Sequence, residues 1–90
     1  MNQKNIQITD HVCERYIERI NPNLQSIRDY NSRLIAAKKA IKAVLQDAKY
    51  ISDNERGILL RSDTFKCCLI ISKRRLITIY SYKPQKESGQ

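Results

Sequence analysis

The sharpest chemical pattern in the sequence is a set of three basic side chains spaced by four residues. His11, Arg15 and Arg19 follow one another at this interval in a segment that opens with Thr9-Asp10. On an α-helix they sweep an arc of roughly 80° along one edge, because each residue turns the chain by about 100°. Histidine exchanges a proton near neutral pH, and arginine holds phosphate oxygens through paired hydrogen bonds. The spacing fits acid–base chemistry at a phosphate, and it equally fits a solvated helix face on which Glu18 pairs with Arg15.

A second group of polar side chains lies in the last apolar run of the chain, residues 76–82. Its hydroxyl-bearing members are Thr78, Tyr80 and Tyr82. They alternate with Ile77 and Ile79, so we expect the isoleucines to pack on a helical layer and the hydroxyls to line the open face of a sheet. Arg61 and Lys66 join this face from the preceding strands. Such a face can stack bases and hold a phosphate backbone, although tyrosine and threonine are also ordinary strand residues.

A third basic group forms a predicted hairpin tip. It consists of Lys73, Arg74 and Arg75. Basic residues are common at exposed turns, where they favour solubility. Together with other cations they can also contact phosphates.

Most standard catalytic signatures are missing from the sequence. It has no glycine-rich phosphate loop, no nucleophile elbow and no carboxylate cluster with metal spacing. The three cysteines lack metal-ligand spacing, and the neighbours Cys67 and Cys68 are predicted to be reduced and to pack in the core. We therefore expect neither a metal nor a cofactor. A single histidine also excludes mechanisms that need two.

The elements that must position these residues change character halfway along the chain. Helical periodicity runs from Asp10 to Ile20 and again, after the stop Asn21-Pro22-Asn23, through residues 27–48. Ser26 and Asp29 resemble a capping box for the second helix. From Lys49 onward, short runs rich in β-formers alternate with tight turns. The order predicts an α+β fold with two N-terminal helices packed on a three- to four-stranded antiparallel meander sheet.

Length and composition indicate one small domain with a basic surface. The 90 residues carry 17 Lys and Arg against nine Asp and Glu, a net charge of +8 and a pI near 9.7. This field attracts polyanions, so we expect RNA as the partner. An acidic protein partner and a purely solubilising charge are the alternatives. The predicted domain covers residues 6–82, with a frayed N-terminus at 1–5 and a disordered tail at 83–90.

The sequence shows no apolar segment typical of a leader or a membrane span. We therefore expect a cytoplasmic protein without a membrane partner. The oligomeric state stays open.

Together these features resemble a known group of small proteins. The start Ile8-Thr9-Asp10-His11-x-x-x-Arg15-x-x-x-Arg19, a second helix, and the ending Leu76-Ile77-Thr78-Ile79-Tyr80 are similar to the bacterial and phage RelE/BrnT-like superfamily. That group includes ribonuclease toxins and related families that open with a similar His-Arg-Arg helix. Active sites vary within it, and some members are not nucleases.

The resemblance implies metal-independent cleavage of RNA, with the 2′-hydroxyl as the internal nucleophile. On this interpretation His11 is the acid or base, Arg15 and Arg19 hold the phosphate, and Arg61 with Lys66 offsets charge in the transition state. Tyr80 or Tyr82 stacks a base or donates a hydrogen bond, and an acidic antitoxin is a further expected partner. Two alternatives remain: a non-catalytic nucleic-acid-binding regulator, and a phage-type inhibitor or adaptor that binds an acidic host protein.

Overall fold

The computed structural model describes residues 6–82, which form two helices followed by four strands. The helices are α1 (Asp10–Arg19) and α2 (Tyr30–Asp47), with a 3-10 turn at Pro22–Ser26 between them. The strands are β1 (Lys49–Asn54), β2 (Gly57–Ser62), β3 (Cys67–Ser72) and β4 (Arg75–Ser81), in one antiparallel sheet with the order β1-β2-β3-β4. The predicted α+β meander is confirmed, with four strands. The predictions for residues 1–5 and 83–90 fall outside the described residues.

Helix α1 begins where the sequence predicts. The Thr9 hydroxyl accepts a hydrogen bond from the Val12 backbone at 3.3 Å and caps the helix. One face of α1 is buried, through Val12, Cys13, Tyr16 and Ile17. The segment just before it, at Gln7, forms a single parallel bridge with Arg75 and so lies beside the first residues of β4.

Helix α2 begins later than predicted, and the proposed capping box is wrong. Asp29 itself is the N-cap and accepts from the backbone and hydroxyl of Ser32, both at 2.8 Å. The Ser26 hydroxyl instead donates to the Asn23 carbonyl at the end of the 3-10 turn. Ile27 stays extended, because the Arg33 guanidinium donates twice to its carbonyl, at 3.0 and 2.9 Å.

The two helices cover one face of the sheet, and the hydrophobic core lies between these layers. We call this the covered face; its central residues Leu60, Leu69 and Ile79 are nearly inaccessible to solvent and pair across β2, β3 and β4. Helix α1 packs on β4, whereas α2 reaches β2. At that contact the buried Ser62 donates to Asp47 at 2.6 Å. None of the helices within residues 6–82 is long and apolar enough to cross a membrane.

Each edge strand contains a bulge with an exposed isoleucine as its extra residue. The register of β1 shifts at Ile51, and that of β4 shifts at Ile77. The expectation that Ile77 packs on the helices is therefore wrong: it is 47% exposed, and Leu76 is buried in its place. Bulges interrupt the hydrogen-bonding edge of a sheet and so hinder edge-to-edge association.

Candidate nucleic-acid interface

Within residues 6–82 no helix covers the second face of the sheet, and one row of side chains crosses all four strands there. We call it the open face. Lys49 pairs with Arg61, Arg61 with Cys68, and Cys68 with Tyr80. Paired residues share a face, and each neighbours a residue of opposite orientation such as Leu60 or Leu69. This cross-strand row therefore joins two cations, a thiol and a phenol on the side away from the helices.

Arg61 is the best-defined cation of the row. Its guanidinium carbon lies 5.0 Å from the centre of the Tyr82 ring, within cation–π range. Asp63 Oδ1 lies 3.0 Å from Arg61 Nε, which is an ion pair by distance. Among the described residues, however, the buried Nε makes no hydrogen bond, so the two groups are close but poorly aligned. The side chain remains 37% exposed, and an ion pair this accessible contributes at most about 1 kcal/mol.

Tyr80 supplies an accessible aromatic ring at the end of the row. The residue is 38% exposed. Partial burial raises the pKa of Tyr80, and the adjacent Cys68 raises it further. The phenol is therefore protonated at neutral pH and able to donate a hydrogen bond.

The three cysteines occupy two different environments. All are free thiols; Cys13 and Cys67 belong to the core, and burial raises the pKa of both. Cys68 is buried too, but the register puts it on the open face between Arg61 and Tyr80. Core packing thus describes Cys67 and not Cys68. Within residues 6–82 no cluster of histidine, cysteine and carboxylate side chains can hold a metal ion.

Lys66 does not lie on a strand as expected. Strand β3 begins only at Cys67, and Lys66 ends the preceding turn with a φ of 58°. Its carbonyl accepts a hydrogen bond of 2.7 Å from the Tyr82 backbone. Lys66 therefore contributes to this end of the sheet by fixing Tyr82, while its own side chain is exposed.

The third predicted group lies at the opposite end of the same sheet. Lys73 and Arg74 form a two-residue turn, which we call the hairpin tip, and both have positive φ, 52° and 65°. Arg75 is the first residue of β4 and pairs with Ser72. Ser72 alternates in step with Cys68 and Ile70 along β3, so Ser72 and Arg75 point to the same side of the sheet as those two residues. Arg75 is thus on the open face, four residues along the hairpin from the row, or about 13 Å.

The structure does not bring the helix residues to this face. His11 and Arg19 are exposed on α1, which packs on the covered face. Arg15 pairs with Glu18 at 2.9 Å, as the sequence suggested, and neither side chain is buried. None of the hydrogen bonds and ion pairs within residues 6–82 joins these three residues to Arg61 or Tyr80.

Two features escaped the sequence analysis. Lys49 and Cys68 complete the row, and only the strand register reveals this; alternation from Arg61 and Tyr80 would have been the signal. A groove of about 390 Å³ lies between the helices, lined among others by Glu14 and Tyr30. Tyr30 donates a hydrogen bond to Glu14 and is 48% exposed.

Comparisons of the chain with protein-family models, with curated proteins and with solved structures found no match.

Proposed function

We propose that the protein binds RNA through the open face of its sheet. The cross-strand row Lys49–Arg61–Cys68–Tyr80, with Tyr82 against Arg61, carries this proposal. Cations attract the phosphate backbone, and an accessible tyrosine ring stacks on a base of any sequence. The net charge of +8 favours encounter with a polyanion.

The residues beside the row, two of them apolar, support the same proposal. Leu59, Ile70 and Thr78 form the next cross-strand row of the open face and are half-buried. They provide a flat surface for unpaired bases, whereas a duplex presents mainly phosphates and sugars to a protein. Single-stranded RNA is therefore the preferred ligand.

Binding of a labelled single-stranded RNA of mixed sequence, followed by fluorescence anisotropy over a salt series, tests the proposal. We expect saturable binding at low salt, and about a tenfold or greater loss for Arg61→Gln. The slope of log K against log salt should also fall by about 0.7 for one lost phosphate contact. Arg28→Gln is the matched control, since Arg28 is exposed outside the sheet. Absence of binding at low salt would falsify the proposal.

A second candidate function is metal-independent cleavage of RNA by His11. The imidazole is exposed, and it makes no hydrogen bond to any residue between 6 and 82, so it is accessible to a substrate. Arg19 is also exposed on the same helix. In this role His11 transfers the proton of the 2′-hydroxyl, and the arginines stabilise charge on the phosphate.

Total RNA after induced expression in bacteria separates cleavage from binding. If His11 is catalytic, wild type degrades RNA and arrests growth, whereas His11→Asn reduces the cleavage rate by about 10²- to 10⁴-fold. The variant should keep its RNA affinity, because the row is unchanged. If RNA stays intact when the wild-type protein is expressed, the cleavage role is rejected and RNA binding without cleavage remains. A stable complex with an acidic protein that survives nuclease treatment would favour the adaptor role instead.

A further inference from the structure

The hairpin tip has a backbone conformation that its own side chains disfavour. Lys73 and Arg74 both adopt left-handed φ values, and the tip has the length and φ signs of a type I′ turn. Such turns favour Asn-Gly, because in this region Cβ lies too close to the following carbonyl oxygen. Glycine has no Cβ, and the short polar side chain of asparagine can form a local hydrogen bond that offsets the contact. Lysine and arginine at these two positions therefore destabilise the folded state relative to Asn-Gly.

The turn between β1 and β2 avoids this conformation, since neither of its two residues, Glu55 and Arg56, has a positive φ. Asn54, the last residue of β1, accepts from the Arg56 backbone at 2.8 Å, and the positive φ of 138° falls on Gly57, the first residue of β2. At Gly57 a Cβ would approach the Ile71 carbonyl oxygen to 2.3 Å, so glycine is required. By contrast, every non-glycine residue of positive φ within residues 6–82 is basic, namely Lys66, Lys73 and Arg74.

The tip is also hydrogen-bonded to the segment before α1. The Gln7 backbone donates to the Arg74 carbonyl at 2.7 Å, and the Leu76 backbone donates to the Gln7 carbonyl at 2.9 Å. These bonds hold the turn from outside the hairpin. A ligand that contacts Lys73 and Arg74 therefore has less backbone freedom to restrict, which lowers the entropic cost of binding.

We infer that Lys73 and Arg74 are a preorganised contact for the phosphodiester backbone of a bound nucleic acid, and that their strained conformation is retained for that contact. The inference rests on the proposed RNA-binding function and deepens it. Arg75 lies on the open face next to the tip. A single RNA strand bound across this face can therefore extend from Arg61 and Tyr80, past Arg75, to the tip. Strain that persists at a surface turn is a recognised sign of a functional constraint.

The variant Lys73→Asn/Arg74→Gly tests the inference because stability and binding should change in opposite directions. Relief of the left-handed strain should raise Tm by at least about 4 °C. Loss of two phosphate contacts should lower the affinity for single-stranded RNA about tenfold or more, and should reduce the salt slope by about 1.4. Lys73→Gln/Arg74→Gln, which removes the charges and keeps the strain, should lose affinity without the gain in Tm.

The matched control is Lys39→Gln/Lys42→Gln, which removes two exposed charges from α2. It should retain most of the affinity. DNA of the same sequence should show the same loss with the tip variants, because a phosphate contact is common to both nucleic acids. A loss confined to RNA would overturn the phosphate contact in favour of the 2′-hydroxyl.

Each remaining outcome also decides the matter. If the Asn-Gly variant is more stable but binds as tightly as wild type, the tip is no contact, and RNA binding by the open face stands. If Tm does not rise, the conformation is not unfavourable and the inference fails. If the wild-type protein binds neither RNA nor DNA at low salt, the proposed function fails together with the inference.

Discussion

The two faces of the sheet contain similar apolar residues but differ in how deeply those residues are buried. On the covered face Leu60, Leu69 and Ile79 are packed beneath the helices and almost fully buried. On the open face Leu59 and Ile70, each the chain neighbour of one of them, remain half-accessible. The strands are the same, so the difference comes from what lies above each face.

The distribution of charge repeats this contrast. The covered face holds one buried polar side chain, Ser62, among residues 6–82, and that hydroxyl is hydrogen-bonded. The open face carries Lys49, Arg61 and Arg75 around its apolar centre. An antiparallel sheet that merely faces water usually turns polar side chains outward. The apolar residues framed by cations on the open face are the basis of the proposal that this face binds RNA.

The largest expected difference between the two faces is in the free energy of unfolding, when Leu60→Ala on the covered face is compared with Leu59→Ala on the open face. Leu60 is 2% exposed, so its truncation leaves a cavity and should reduce the free energy of unfolding by about 2–5 kcal/mol. Leu59→Ala, one residue away, should cost less than about 1.5 kcal/mol, since its side chain is only partly buried and its truncation leaves no enclosed cavity. Urea denaturation followed by circular dichroism measures both.

RNA affinity should rank the same two variants in the reverse order. With the fold intact, Leu59→Ala removes part of the open face and should weaken RNA binding severalfold. Leu60→Ala should bind normally at temperatures where it is folded. Equal destabilisation by the two substitutions, or RNA affinity unaffected by Leu59→Ala, would break the distinction between the faces.

Much of the fold was predictable because local signals agreed. The Thr9 cap and the helical periodicity gave α1, and the change to short β-rich runs at Lys49 gave the meander. The start of α2 was not predictable in the same way. Ser26 and Asp29 both fit a helix start, and the choice depends on Arg33 bonding to the Ile27 carbonyl, a contact within the folded chain.

The candidate site was predictable in part. Alternation placed Thr78 and Tyr80 on the open face, as the structure has them, but it did not give the register that aligns the row with Lys49 and Cys68. The two-residue turn at the hairpin tip pairs Ser72 with Arg75 and Ile71 with Leu76. Without a bulge, the next pair would be Ile70 with Ile77, and Tyr80 would then lie on the covered face. The bulge at Ile77 shifts the pairing so that Ile70 faces Thr78 and Cys68 faces Tyr80. A single inserted residue therefore decides which face carries Tyr80. Nothing in the local sequence distinguishes Ile77 from Ile79.

A smaller effect should come from the contact that joins the helical layer to the sheet. Asp47, at the end of α2, accepts from the hydroxyls of Ser62 at 2.6 Å and Thr64 at 3.0 Å. The bond from Ser62 is the main cause that lowers the pKa of Asp47. Because this pKa is lower in the folded than in the unfolded protein, the carboxylate stabilises the fold above its unfolded pKa. That contribution is lost as the pH falls through the folded pKa.

Thermal unfolding of wild type and Asp47→Asn between neutral pH and about pH 2.5 tests this assignment, since an unperturbed aspartate titrates near pH 4. Wild type should be the more stable protein at neutral pH, and the difference in Tm should shrink as the pH falls. Glu55→Gln, an exposed change in the β1–β2 turn, serves as the control for loss of one negative charge. A constant difference across the range would mean that the carboxylate charge does not stabilise the contact. RNA affinity should be unchanged at neutral pH, because Asp47 belongs to the helix side of the sheet and the row to the other.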